Sequence, residues 1–201
     1  MALFLKLYCR PLKRDLAVSA GRGIVHSEMP EQENGLLMGF QLWVNLPARA
    51  KMTAPAYQEY PPEGVPLERR EDGTLVRVVA GTTSAGTVGA VKNDWVSPTY
   101  LDVTLPGGRS FEQAVGAADN AFLYVIEGEV LVGKQDALLA SRTLGILGPG
   151  DHVRVASTAG ARFLLVSAQP LNEPVARGGP FVMNTREEII QAFDDYRHNR
   201  F

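Results

Sequence analysis

The feature that most constrains the fold is a series of short apolar runs, separated by glycine and proline, in the C-terminal half of the chain. Residues 100–105 alternate, so that Leu101, Val103 and Leu105 would share one face of a strand. The other predicted strands of this series cover residues 75–79, 121–126, 129–132, 143–147, 152–156 and 162–167. Residues 127–128 contain a glycine and predict a hairpin turn. Many short strands joined by such turns predict an all-β sandwich or barrel.

The N-terminal part of the chain is less regular. Residues 40–46 are aromatic and β-branched enough to predict a further strand. The stretch from 55 to 73 is rich in proline and glutamate, a composition typical of a stiff linker. Residues 1–17 contain an apolar run that is interrupted around Pro11, so we expect one strand or a helical turn at most.

A single helix is predicted, at the C-terminus. Thr185 and Glu188 have the spacing of a capping box, in which each side chain bonds the backbone of the other residue. Four apolar residues then follow at helical spacing: Ile189, Ile190, Phe193 and Tyr196. This stripe predicts a helix whose role is packing.

Composition excludes several classes of protein. A net charge of −2 with interspersed acids and bases leaves no basic surface for direct nucleic-acid binding. No apolar run approaches the length of a membrane span, and the first residues lack the features of a signal peptide. The single cysteine, Cys9, excludes an internal disulfide and fits a reducing compartment. We therefore expect a soluble cytoplasmic protein.

The candidate site is a His-x-Glu pair, His26 and Glu28, in a segment interpreted as a strand. Side chains two residues apart on a strand point to the same face, so the imidazole and the carboxylate would project together. These groups are ligands of non-haem iron and related divalent-metal sites. The alternative is that His26 and Glu28 only bond to each other beside a turn, since short matches of this kind arise by chance.

The residues around the pair carry a family resemblance. Several segments resemble sequence motifs of the pirin family, in the cupin superfamily: residues 21–30, 39–47, 57–58, 128–129 and 179–188. The resemblance extends from about residue 18 to the C-terminus. The turn at residues 148–151 also resembles the second cupin motif.

The resemblance implies a cupin double-stranded β-helix (jelly-roll), with one partial N-terminal cupin and one complete C-terminal cupin. It also implies that the C-terminal segment returns to brace the N-terminal domain. The predicted divisions are an atypical leader at 1–17, a remnant of the N-terminal cupin at 18–54, a linker at 55–73, the C-terminal cupin at 74–170, and a C-terminal segment with its helix at 171–201.

The resemblance further implies Fe(II) or another divalent metal, with His26 and Glu28 as two of its ligands. Pirin-like proteins have two further histidines, N-terminal to this pair, in a His-Pro-His-Arg-Gly-type motif. This chain lacks that motif, so we expect a pirin shortened at its N-terminus. Two ligands alone would leave an ion mostly hydrated and weakly held. His152 and His198 are interpreted as a turn residue and a helix-end residue, and residues 117–120 predict a metal-free second barrel.

Two functions from different classes remain open, and a third possibility is an inactive gene fragment. In one, the chain is a metal-dependent oxygenase of the quercetin 2,3-dioxygenase type that binds a flavonol-type small molecule. In the other, it is a non-catalytic binding or regulatory module with a protein partner. Half a barrel would also expose strand edges, so self-association through those edges is expected.

Overall fold

The computed structural model describes residues 2–9, 15–26 and 38–201, and divides the chain into two compact units. The first unit contains Met1–Pro62 and Leu171–Phe201, and the second contains Glu63–Pro170. Among the described residues, no helix is both long enough and apolar enough to cross a bilayer.

The described residues form fifteen strands and one α-helix. The strands are β1 (Ala2–Cys9), β2 (Asp15–Ser19), β3 (Met38–Asn45), β4 (Ala56–Tyr60), β5 (Leu67–Arg69), β6 (Leu75–Ala80), β7 (Thr99–Leu105), β8 (Arg109–Ala114), β9 (Asn120–Val132), β10 (Ala137–Ala140), β11 (Leu144–Ile146), β12 (His152–Ser157), β13 (Ala161–Ala168), β14 (Ala176–Gly178) and β15 (Phe181–Met183). The helix α1 covers Arg186–Arg197.

The first unit contains a four-stranded antiparallel sheet in the order β3-β1-β2-β4. Strand β1 lies inside this sheet, although residues 1–17 were predicted to be an atypical leader. Residues 2–9 form one strand, which is one of the two structures expected for this apolar run, and its pairing with β2 and β3 is not specified by its local sequence. The range 55–73, predicted to be a linker, contains β4 in the first unit and β5 in the second.

The second unit is a nine-stranded sheet wrapped around one apolar core, in agreement with the predicted jelly-roll. Its strands follow the order β5-β6-β7-β13-β9-β12-β8, and β10 and β11 pair with β9. Leu101, Val103 and Leu105 are at most 1% exposed, which confirms the face predicted from their alternation. Phe111 and Phe163 meet edge to face in the same core, with ring centroids 5.8 Å apart.

The hairpin predicted at residues 127–128 does not form, because β9 runs through it as one strand. Residues before the bend pair with β13, and residues after it pair with β10 and β12. Gly128 has a φ of +77°, and a Cβ there would lie 2.3 Å from the carbonyl oxygen of Gly160. The glycine therefore marks a corner at which one strand changes partners.

Helix α1 begins as predicted. The Thr185 hydroxyl accepts from the Glu188 N–H at 3.2 Å, and the Glu188 carboxylate accepts from the Thr185 N–H at 3.0 Å. The predicted apolar stripe is only partly correct, because Ile190 is 61% exposed and the buried positions are Ile189 and Ala192. Ile190 lies about 100° around the helix from Ile189, so the two cannot face one core.

The C-terminal segment packs on the N-terminal part of its own unit, as the resemblance implied. Ala20 shares one apolar cluster with Phe181, Met183, Ile189 and Ala192. A hydrogen bond joins the N-terminal part to the C-terminal segment, because the backbone N–H of Ala48 donates to the Glu173 carboxylate at 2.7 Å. The α1 end of the chain is therefore part of the unit that contains the candidate site.

Candidate metal site and its surroundings

A tight turn after β2 positions the candidate histidine. Gly21 has a φ of +49°, and a Cβ at this position would lie 2.2 Å from the carbonyl oxygen of Thr53. That same carbonyl accepts the Arg22 N–H at 2.8 Å, and the Gly23 N–H donates to the Ala20 carbonyl at 2.9 Å. The turn thus needs a glycine at residue 21, both for backbone conformation and for the close approach to Thr53.

His26 is exposed and lies in residues 23–26, which form no strand. The strand predicted across the His-x-Glu pair is therefore wrong for its described part, because the turn at Gly21 ends β2 at Ser19. Glu28 lies in residues 27–37, outside the described residues, so the common face predicted for His26 and Glu28 stays a prediction.

The structure brings His26 beside β4. The imidazole lies 6.3 Å from the Tyr57 ring, measured between centroids, with the two rings tilted by 60°. The Tyr57 hydroxyl donates to the Glu59 carboxylate at 3.1 Å. A histidine, a phenol and a carboxylate therefore line one edge of the first unit's sheet, where β4 is the outer described strand.

The opposite face of β4 carries a second polar pair. The Tyr60 hydroxyl donates to the side-chain oxygen of Gln58, and burial raises the pKa of the Tyr60 phenol. Tyr60 is therefore held as a neutral donor at physiological pH. The pair stabilises β4 from the face away from Tyr57 and Glu59.

The described residues contain no group of three or more His, Cys, Asp or Glu that could hold a metal ion. His152 begins β12 and pairs with Glu112 at 3.4 Å, with both side chains about half exposed. His198 caps the end of α1, where its Nδ1 lies 2.9 Å from the Asp194 carbonyl oxygen.

A second polar cluster lies in the other unit and is fully paired. The Glu68 carboxylate accepts from Thr83 and, at 2.8 Å, from Arg70. Burial opposes ionisation of Glu68, but these hydrogen bonds outweigh it and lower the pKa of the carboxyl group. The Arg70 guanidinium also stacks over the ring of Phe111 at 4.6 Å. We interpret this cluster as structural, because the Glu68 carboxylate already accepts from both Thr83 and Arg70.

Two features of the first unit were not predicted from the sequence. Tyr57 and Glu59 lay in the predicted linker, although their i, i+2 spacing would have placed them on one face of a strand. Lys51 is 1% exposed, and nothing in its local sequence indicates burial. Its ammonium donates to the Asn45 side chain at 2.7 Å and to the Val182 carbonyl at 3.4 Å. Lys51 therefore joins the end of β3 to β15.

The burial of Lys51 predicts that the stability of the fold depends on pH. Burial lowers its pKa from 10.5, although Glu173 and Glu188 act in the opposite direction. Between the folded and the unfolded pKa, the unfolded chain binds more protons than the folded one. We therefore expect the free energy of unfolding to rise as pH increases through this interval, by at most about 1.4 kcal/mol per pH unit.

The measurement is urea unfolding of the wild type and Lys51→Met at a series of pH values from 7 to 10.5. The substitution keeps the apolar stem and removes the titrating group, so the difference between the two curves isolates Lys51. If the difference did not change with pH, the lysine would have the same pKa in both states and the prediction would be wrong.

Comparison with known proteins supports the predicted family. Residues 100–201 match the model of the Pirin C-terminal cupin domain. The chain is 50% identical over 182 residues to a pirin-like protein of Caulobacter vibrioides, covering 90% of this chain and 65% of that protein. It is 44% identical over 184 residues to a pirin-like protein of Solanum lycopersicum, covering 90% and 62% respectively. The chain thus spans just under two thirds of the length of these relatives.

A solved structure matches the whole of this chain. The crystal structure of quercetin 2,3-dioxygenase from Acinetobacter baumannii superposes with a TM-score of 0.87 at 28% sequence identity. The match covers 100% of this chain and 76% of that one. Together with the jelly-roll of the second unit and the match over residues 100–201, these likenesses show that the chain belongs to the pirin family of cupin proteins.

Proposed function

We propose that this chain contributes His26 and Glu28 to a non-haem site for Fe(II) or another divalent metal, in a protein with quercetin 2,3-dioxygenase-type activity. The observation that carries the proposal is the likeness, over the full length of this chain, to the quercetin 2,3-dioxygenase of Acinetobacter baumannii. Imidazole and carboxylate are suitable ligands for such a metal. The substrate would be a flavonol-type small molecule.

The described residues supply only part of the site that this chemistry needs. When bound, a divalent metal would orient a flavonol and tune its electronics. Within residues 2–9, 15–26 and 38–201, His26 is the candidate ligand that the sequence predicted, and no group of three donors surrounds it. We therefore expect this chain to bind a metal ion weakly.

The neighbours of His26 have roles that do not depend on a metal. Tyr57 offers an aromatic face beside the imidazole, and its hydroxyl is held by Glu59. Such a face could stack against a flat flavonol ring, because offset and edge contacts between aromatic rings are favourable. The Gly21 turn fixes the backbone from which His26 projects.

A second candidate function is a non-catalytic binding or regulatory module. The second unit favours it, because its nine strands enclose an apolar core that contains side chains such as Val103, Phe111 and Leu165. A packed interior has no room for a substrate inside the barrel. This unit would then act through its surface, toward a protein partner.

The two candidate functions differ in whether His26 binds a metal ion. Metal titration measures this difference. We expect Fe(II), added anaerobically and followed by isothermal titration calorimetry, to bind weakly at one site. His26→Ala should weaken this binding by more than tenfold, because removing even a residue that supports a metal ligand costs 10–100-fold in affinity. His198→Ala is the matched control, since His198 caps α1 and should not affect binding.

Equal binding to the wild type and to His26→Ala would contradict the metal assignment and favour the binding module. Tight, stoichiometric iron that depends on His26 would instead show that further ligands complete the site, in this chain or in a second copy. Oxygen consumption with quercetin would then test the proposed reaction directly.

A further inference from the structure

The second unit contains a surface cleft that the proposed function does not use. It has a volume of about 600 Å³ and is bounded by the turn between β9 and β10, the turn after β11 and the start of β12. Residues 148–150, from the turn that resembles the second cupin motif, form one wall. A volume of this size is typical of small-molecule sites, which lie between about 300 and 1,000 Å³.

The floor of the cleft is apolar and closed. Val115, Val132 and Leu147 line it, and all three pack against the core of the barrel. A bound molecule would therefore rest on these side chains and would not enter the barrel. Ile146, at the rim, is 84% exposed, which leaves a large apolar side chain facing solvent beside the cavity. Covering it would be favourable through the hydrophobic effect.

The ionisable side chains that line the cleft are all basic. Lys134, His152 and Arg154 line it, and none of the described side chains in its wall is a carboxylate. Arg154 pairs with Asp136 at 3.1 Å and His152 with Glu112 at 3.4 Å, in exposed contacts that are individually weak.

Lys134 differs from its two neighbours. Within the described part of the chain, no hydrogen bond or ion pair engages its ammonium group. The cleft therefore presents one cation with unused donors next to an apolar floor.

We propose that this cleft is a binding site for a small aromatic carboxylate. The flat apolar part would cover Val115, Val132 and Ile146, and the carboxylate would accept a charge-assisted hydrogen bond from Lys134. The site lies wholly within the second unit and does not involve His26, so it does not depend on the metal chemistry proposed above. If the protein is regulatory, binding at this cleft would let it respond to a metabolite of this chemical class.

The test is calorimetric titration of the full chain with 2-naphthoate, with its neutral amide, 2-naphthamide, as a second probe. We expect 2-naphthoate to bind one site with a submillimolar Kd, and Lys134→Met to weaken it about tenfold. Ile146→Asp should weaken it similarly, because the new carboxylate removes apolar surface and repels the ligand. Lys92→Met, which removes the same charge outside the cleft, should leave the Kd unchanged.

The neutral probe separates the two parts of the proposal. 2-Naphthamide should bind more weakly than 2-naphthoate to the wild type and should be indifferent to Lys134→Met. Amide chemical-shift changes of Gly133, Gly148 and Gly150 should locate the site. The proposal is overturned by absence of binding at millimolar 2-naphthoate, by shifts elsewhere, by equal loss in Lys134→Met and Lys92→Met, or by equal affinity for the amide.

Discussion

Replacing Asp102 with alanine should lower the free energy of unfolding of the second unit by about 3–5 kcal/mol, which is the expected cost of removing one partner from a buried ion pair. The side chain of Asp102 is 2% exposed. Its two oxygens accept a bidentate pair of hydrogen bonds from Arg162, at 2.9 and 2.7 Å. The pair joins β7 to β13, two strands inside the sheet.

The large effect follows from what the substitution leaves behind. Arg162 is 24% exposed in its side chain, so removing the Asp102 carboxylate would take a bidentate, charge-assisted partner from a largely buried guanidinium.

Urea unfolding in a Trp43→Phe background measures this prediction, because Trp95 then reports the second unit alone. Asp136→Asn is the matched control: its pair with Arg154 is exposed on both sides and should contribute less than about 1 kcal/mol. The double variant Asp102→Leu, Arg162→Met should recover most of the loss, since an apolar pair leaves no buried charge. A cost for Asp102→Ala no greater than that for Asp136→Asn would contradict the prediction.

The second unit was predictable because its signal is local. Alternating residues such as Leu101, Val103 and Leu105 specify a strand and its buried face together, and glycine and proline mark where strands end. The capping box at Thr185 is equally local, and it gave the start of α1 correctly. In the second unit, the hairpin predicted at Gly128 was wrong, because a glycine with positive φ is equally suited to a hairpin turn and to a corner within one strand.

The first unit was harder to predict because its contacts join distant parts of the chain. Strand β1 is defined by pairing with β2 and β3, and Lys51 is buried by the return of β15, more than 100 residues later. Neither relation leaves a pattern in the local sequence. At the candidate site, the assignment of His26 as a metal ligand stays a prediction, and the strand predicted around it did not take account of the turn that Gly21 makes possible.

That turn carries the other large prediction: Gly21→Ala should destabilise the first unit by about 2–5 kcal/mol. A Cβ at residue 21 would lie 2.2 Å from the Thr53 carbonyl oxygen, so the backbone must move and the 2.8 Å bond from the Arg22 N–H would break. The left-handed backbone adds strain of about 1–2 kcal/mol for a residue with a side chain. His26 would be displaced from Tyr57 at the same time.

Gly179→Ala separates these two causes within the same unit. Gly179 has a φ of +52°, close to that of Gly21, but a Cβ there would lie 3.4 Å from the Phe193 ring, near ordinary van der Waals contact. It should cost only the conformational part, about 1–2 kcal/mol. Asparagine tolerates the left-handed region, so Gly179→Asn should recover part of that loss, whereas Gly21→Asn should not, because its Cβ meets Thr53 as alanine's does. Unfolding followed by Trp43 in a Trp95→Phe background measures all four variants. Equal losses for Gly21→Ala and Gly179→Ala would mean that the close approach to Thr53 does not fix the turn from which His26 projects.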